Sequence, residues 1–267
     1  MRADITRTDA LAKRLLRFAS GPAWSAVRWS YGEINVSRLR PTLATKPGRN
    51  LVPLYEGPTV TAFDPEGGRV RYWVPAVANG VESRNKRYRV ALRTLAPSMN
   101  GRLLVAAVLP PLSVAASSLI VSSPLDAGFA SDAVASLNSF VLDFVAQGLV
   151  VGTTRLLHVT LGLLHQLPLR EPGRNHEEVV SRSSRLLQER SDLGRFASDL
   201  GFRGDRGLLS IGERNRIRAE LEALLADRYE LDENDFASIL ATFIKVPEPE
   251  RLAARNALRD LQHGLLP

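Results

Sequence analysis

The stretch YRVALRTLAPSMNGRLLVAAVLPP, residues 88–111, decides how this chain reads. In an extended chain Arg87, Arg89 and Ala91 fall on one side, and Tyr88, Val90 and Leu92 on the other. The alternation predicts a strand with its charged side turned outward. Residues 103–109 are nearly all aliphatic, which suits a strand covered on both faces. Between the two, Asn100-Gly101 has the backbone chemistry of a turn.

Working outward, residues 51–55 and 59–63 read as short strands around Gly57-Pro58, and residues 70–74 alternate like another. Downstream, SDAVASLNSFVLDFVAQG (131–148) places Val134, Leu137, Phe140, Val141, Phe144 and Val145 on one helical face, with Asp132 near its start and Gly148 at its end. This predicts one helix. Residues 156–159 then read as a strand, 160–166 as a short helix or turn, and Leu167-Pro168-Leu169 as an exit.

Residues 1–50 mix basic and aromatic residues with the breakers Gly21, Pro22, Pro41, Pro47 and Gly48. One amphipathic helix is expected there, with Leu11, Leu15, Leu16 and Phe18 behind Asp9 as a cap, and then loop. Beyond Pro172 the chain turns charged and helical. SSRLLQERSDLGRFASDL (183–200) is moderately periodic, and Ile217, Leu221, Leu224 and Leu225 make one stripe. Asp232 is placed to cap a helix that buries Phe236, Ile239, Leu240 and Phe243, and RLAARNALRDLQHG (251–264) reads as a last helix after Pro247 and Pro249. The expected fold class is α/β in the broad sense (α+β). It divides into a basic N-terminal helix and loop (1–50), a mixed α/β domain (51–171) and a helical C-terminal region (172–267).

At 267 residues and 45% hydrophobic content the chain can bury a sizeable core. Lys and Arg total 35 against 28 Asp and Glu, and the net charge of +7 favours an anionic partner. The absence of cysteine excludes disulfides and thiolate metal sites, and the four histidines lack metal-ligand spacing, so no structural zinc is expected. His158 and His165 sit among apolar residues and read as packed side chains. No apolar run follows the basic N-terminus, and Pro110, Pro111, Ser113 and Ser117 cut the apolar stretches short of the roughly 20 residues a membrane helix needs. A soluble cytoplasmic protein without membrane contact is expected.

The basic charge is concentrated. Arg69, Arg71, Arg84, Lys86, Arg87, Arg89, Arg93 and Arg102 lie close together with Glu82 as the only acid among them, and Tyr72, Trp73 and Tyr88 are interleaved. Two readings stay open at this level: a solvated strand face, or a surface that neutralises phosphates while an arginine pairs with guanine.

The order of blocks narrows the choice. LVPLYEGPTVTAFDP (51–65), RYWVP (71–75), residues 88–111, LNSFVLDFVAQG (137–148) and LLHQLPL (163–169) together resemble the C-terminal target-recognition region of type IIG restriction-modification methylases and of the related BREX and DISARM phage-defence methylases. The matching positions are Tyr55-Glu56-Gly57, Phe63-Asp64, Arg93, Asn100, Arg102, Pro110-Pro111, Leu137-Asn138-Ser139-Phe140 and Leu167-Pro168. The tail at 218–243 also resembles that family's helical ending. Two departures stand out, Leu103 where the family usually has Thr and Pro58 where Lys is common.

The resemblance implies a DNA sequence-recognition module of an adenine-specific methyltransferase or restriction-modification system. Its DNA-binding candidates are Arg84, Lys86, Arg87, Arg89, Arg93 and Arg102, with residues 100–111 as the scaffold that presents them. No Asn-Pro-Pro-Tyr-type tetrapeptide, Gly-rich cofactor loop or Asp…Glu-x-Lys arrangement occurs, so no catalytic residue is assigned. The expected partners are double-stranded DNA and a methyltransferase or restriction catalytic subunit, and S-adenosylmethionine is expected only in that subunit. Two alternatives remain: a helical subunit that docks a partner without reading DNA, and a truncated remnant of a full-length methyltransferase.

Overall fold

The computed structural model describes residues 2–18, 20–64, 69–76, 87–96, 101–150, 157–173, 175–187, 193–202 and 207–266. The basic stretch forms strand β4 (Arg89–Arg93) in the interior of a four-stranded sheet. It pairs antiparallel with β6 (Ala106–Leu109) on one side and β8 (Leu119–Ser122) on the other. β1 (Trp29–Tyr31) adds antiparallel to β8, giving the order β1-β8-β4-β6. A second sheet has β2 (Leu51–Tyr55) at its centre, with β3 (Tyr72–Pro75) antiparallel and β7 (Val114–Ala115) parallel to it. β5 (Leu95–Ala96) and β9 (Leu157–His158) form a small ladder of their own.

The period of two sorts side chains into layers. Ala91, Ala107, Leu109, Leu119 and Val121 of the larger sheet close against Tyr55 and Ala115 of the smaller one. Val90, Leu92, Ala106, Val108 and Ile120 point the other way, into the core shared with the helices. The stacking is therefore sheet, sheet, helices. This corrects the expectation that the Arg89 side of β4 faces outward, because the second sheet covers it.

The helical layer begins with α1 (Arg2–Leu15) and the short turn α2 (Pro22–Ser25), with the short turn α3 (Val36–Leu39) set apart over the outer face of the smaller sheet. It continues with α4 (Ala127–Leu137), α5 (Phe140–Leu149), α6 (Leu161–Leu164), α7 (His176–Leu187) and α8 (Gly194–Asp199). It ends with α9 (Ile211–Arg228), α10 (Glu233–Ala241) and α11 (Glu248–Gln262). The expected stripes hold: Ile217, Leu221, Leu224 and Leu225 of α9 are buried, as are Phe236, Ile239, Leu240 and Phe243. Asp232 caps α10 by accepting from the Asp235 amide at 2.7 Å. Among the described residues, no single helix is long and apolar enough to cross a membrane.

Four local expectations change. The helix predicted over 131–148 is two helices, α4 and α5, bent by 58°. Asn138 leaves the helical path because its amide bonds both backbone groups of Ala106 at 2.9 Å, and Ser139 restarts the helix by accepting from the Leu142 amide at 3.2 Å. The first of the two, α4, starts well before Asp132, at Ala127, with Asp126 as its cap. The strand predicted over 103–109 begins only at Ala106, since the Leu103 and Leu104 amides are taken by the Asp143 carboxylate. Residues 59–63 are no strand: Gly57–Thr59 is a single 3-10 turn locked by Glu56 and Thr59.

The three regions expected from sequence pattern share one core, which joins Leu11, Leu15 and Trp24 to Leu92, Phe140, Leu224 and Leu258. Residues 1–50 supply an edge strand, β1, as well as the expected helix, which begins at Arg2 so that Asp9 lies within it and does not cap it. Arg7 and Arg14 of α1 both donate to the Asp235 carboxylate of α10, at 3.0 and 2.7 Å.

A buried ion cluster ties three helices together. Asp132 of α4 accepts two bonds from Arg228 of α9, at 2.7 and 2.8 Å, and faces His176 Nδ1 of α7 at 2.9 Å. Burial alone raises the Asp132 pKa, but the His176 and Arg228 contacts outweigh it and the net shift is downward. Replacing Arg228 by Met is expected to cost roughly 3–5 kcal/mol in urea unfolding, the penalty of stripping one partner from a buried ion pair. A cost under about 1 kcal/mol contradicts this role.

Candidate nucleic-acid interface

The structure separates the arginines that the sequence groups together. Arg84 and Lys86 lie outside the described residues. Arg87 is exposed at the entrance to β4, and its side chain has no polar partner among the described residues. Arg93, at the far end of the strand, is half-buried and likewise without a side-chain partner, and burial lowers its pKa. These two remain available to a ligand.

Arg89 and Arg102 do not. Arg89 is only 5% exposed. Its guanidinium pairs with Glu33 and donates to the Ser113 carbonyl at 2.9 Å, while the second Glu33 oxygen accepts from the Ala115 amide at 2.9 Å. The side chain expected to touch DNA is a brace between the sheets. Charge on a covered strand face is tolerated here because a carboxylate and a carbonyl meet it.

Arg102 is the hub of a second network. Its Nε lies 3.1 Å from Asp143 and its Nη1 3.4 Å from Glu222, while Nη2 donates to the Asn138 carbonyl. The guanidinium also sits over the Phe140 ring, 4.2 Å from its centroid. Glu222 in turn accepts from the Phe140 amide at 2.8 Å. Every face of the group is in use, so Arg102 too is removed from the candidate contacts. Burial raises the Asp143 pKa, against the opposing pull of Arg102 and the bonds from Gln147, Leu103 and Leu104. Burial also pushes Glu222 up to about 7, assisted by the nearby Glu250.

The sequence reading overlooked another group of cations. Residues 34–55 contain no acidic residue but hold Arg38, Arg40, Lys46 and Arg49. Ile34 bridges to Ala116 beside β7, and Ala44 bridges to Trp73 of β3, so this segment touches both edges of the smaller sheet. Its Ile34, Val36 and Leu43 pack on Val52, Leu54, Tyr72 and Val74, the outer face of that sheet. Arg40 donates to the Tyr72 hydroxyl at 2.9 Å. Arg38, Lys46 and Arg49 are exposed, with no polar side-chain partner among the described residues. The signal that points to them is the lack of any acid between Glu33 and Glu56, which leaves the cations no local counter-ion.

On the helical side, Arg182 pairs with Glu220, Arg228 with Asp132, Arg255 with Glu233 and Arg170 with Glu230, while Arg218 has no such partner among the described residues. The uncompensated charge is therefore biased to the sheet side, as a polyanion interface requires. Among the described residues, no group of three or more His, Asp or Glu side chains is placed to hold a metal. Comparison with protein-family models and with curated proteins gives no match for this chain.

The Glu222 shift gives a stability signature. Its pKa rises on folding from the usual 4.5 to about 7, so the neutral form is favoured in the fold and stability is lost as pH rises through that interval. The Glu222→Gln variant, which stays neutral at every pH, is expected to gain stability relative to the parent as pH rises from 5 to 8, so that the gap between the two changes with pH. Thermal unfolding across that range checks it, and a gap independent of pH contradicts it.

Proposed function

We propose that this chain is a DNA sequence-recognition module of an adenine-specific methyltransferase or restriction-modification system, working in the cytoplasm. It reads duplex DNA and positions a separate catalytic subunit, which binds S-adenosylmethionine and flips the adenine. The observation that carries the reading is the acid-free segment across the smaller sheet, whose Arg38, Lys46 and Arg49 side chains have no counter-ion among the described residues. Such cations suit phosphates: they fix the register of the duplex without reading it. Arg87 and Arg93 suit base edges, where a guanidinium can pair bidentately with guanine. The ordered sequence blocks that resemble methylase target-recognition regions support the same reading.

Fluorescence anisotropy with a labelled duplex tests the proposal. Binding is expected to weaken with salt, and replacing Arg38, Lys46 and Arg49 by Ala should reduce the log–log salt slope by about 2–3. Replacing Arg87 and Arg93 by Gln should instead compress the difference between preferred and unrelated sequences by about 1–3 kcal/mol for each base pair read. Absence of duplex binding at low salt, or indifference to both sets of substitutions, overturns the proposal.

A further inference from the structure

A cavity of about 400 Å³ lies between α9 and α11, beside the Arg102 network. Phe63, Leu104, Phe140, Leu221, Leu225 and Ala254 make much of its wall. The size is that of a site for a small organic molecule, and the wall calls for hydrocarbon.

The polar side chains that line it are Arg102, Asn138, Asn215, Arg218, Glu222 and Glu250. Arg102, Glu222 and Asn138 are satisfied within the fold: Arg102 by Asp143, Glu222 and the Asn138 carbonyl, Glu222 by Arg102 and the Phe140 amide, and the Asn138 amide by Ala106. They form a closed floor. Arg218 differs, because its half-buried side chain has no hydrogen-bond or ion-pair partner among the described residues. Its Nε is sealed from solvent with no acceptor. Leaving a guanidinium desolvated and unbonded is costly, and burial accordingly lowers its pKa. An anion entering the cavity would meet the one lining cation that still has donors to offer.

The charges around Arg218 limit which anion fits. Arg214 and Arg102 act on it through space against Glu250 on α11 and Glu222 on α9, two cations balanced by two carboxylates, which leaves room for one added negative charge. A single carboxylate asks for one guanidinium edge and no more, and the apolar wall suits a hydrocarbon body behind it. We propose that this cavity binds a small amphipathic monocarboxylate, its hydrocarbon part against Phe63, Leu104 and Leu225 and its carboxylate on Arg218. The proposal is independent of DNA recognition and is tested without DNA.

The probes are octanoate, octanol and octylamine, titrated into the full chain by calorimetry, with methyl NMR to locate the site. Octanoate is expected to bind saturably and to shift the methyl signals of Leu104, Leu221 and Leu225, with octanol weaker and octylamine not bound. Arg218→Met, which keeps the apolar stem and removes the charge, should weaken octanoate at least about tenfold, and Arg218→Lys should recover part of that loss. Should Arg218→Met fail to fold, the Lys variant and the octanoate against octylamine comparison on the parent decide the matter. No saturable octanoate binding, affinity equal to that of octanol, unchanged affinity in a folded Arg218→Met variant, or shifts confined to other methyls would each overturn the proposal.

Discussion

One guanidinium, that of Arg102, joins the parts of this fold that are farthest apart in character. It sits at the turn before β6 and reaches Asp143 on α5, Glu222 on α9 and the Asn138 carbonyl at the break between α4 and α5. Each contact constrains an element. The Asp143 carboxylate that Arg102 neutralises also accepts from the Leu103 and Leu104 amides, which sets where β6 can begin. The Asn138 amide holds Ala106, the first residue of β6, from the other side. Burying such ions is favourable only where hydrogen bonds answer them, and here backbone amides supply most of those bonds. The sheet-to-helix packing thus has a polar anchor inside an otherwise aliphatic interface.

A second brace, Arg89 with Glu33 and the Ser113 carbonyl, works between the two sheets. Together the braces account for two of the basic residues in the central stretch. Among the described residues, Arg87 and Arg93 at the ends of β4 and Arg38, Lys46 and Arg49 on the segment over the smaller sheet are left without a side-chain partner. Carboxylates on the helices neutralise their own arginines, and the sheet side has few to offer. The positive bias of the surface follows from where the acids are, more than from where the arginines are.

Elements whose determinants are local were legible in the sequence. The α9 stripe, the Asp232 cap, β2 and the aliphatic run that contains β6 all depend on residues within a few positions of one another. What escaped depended on distant partners. Arg89 reads as outward by alternation, and only Glu33, 56 positions earlier, reveals that its face is covered. The break at Asn138 is invisible to periodicity, because a bent pair of helices keeps the same apolar face toward the core; the cause is a bond to Ala106, 32 positions away. β1 has three residues among Pro and Gly breakers, too few to show a period. The cations at Arg38, Lys46 and Arg49 were visible as residues, but their lack of counter-ions emerged only when the segment was seen to lie across a sheet.

The contacts of α1 carry a consequence for how this protein is made. Arg7 and Arg14 meet Asp235 at sequence separations of 228 and 221, and Leu11 and Leu15 belong to the same core as Leu258. During synthesis at about 5–20 residues per second, α1 must therefore wait on the order of ten seconds or more for the helix that covers it. Throughout that wait its apolar stripe is open to the ribosome surface, to chaperones and to other nascent chains. Of the helices described, α1 is made earliest and is among the last to find its place.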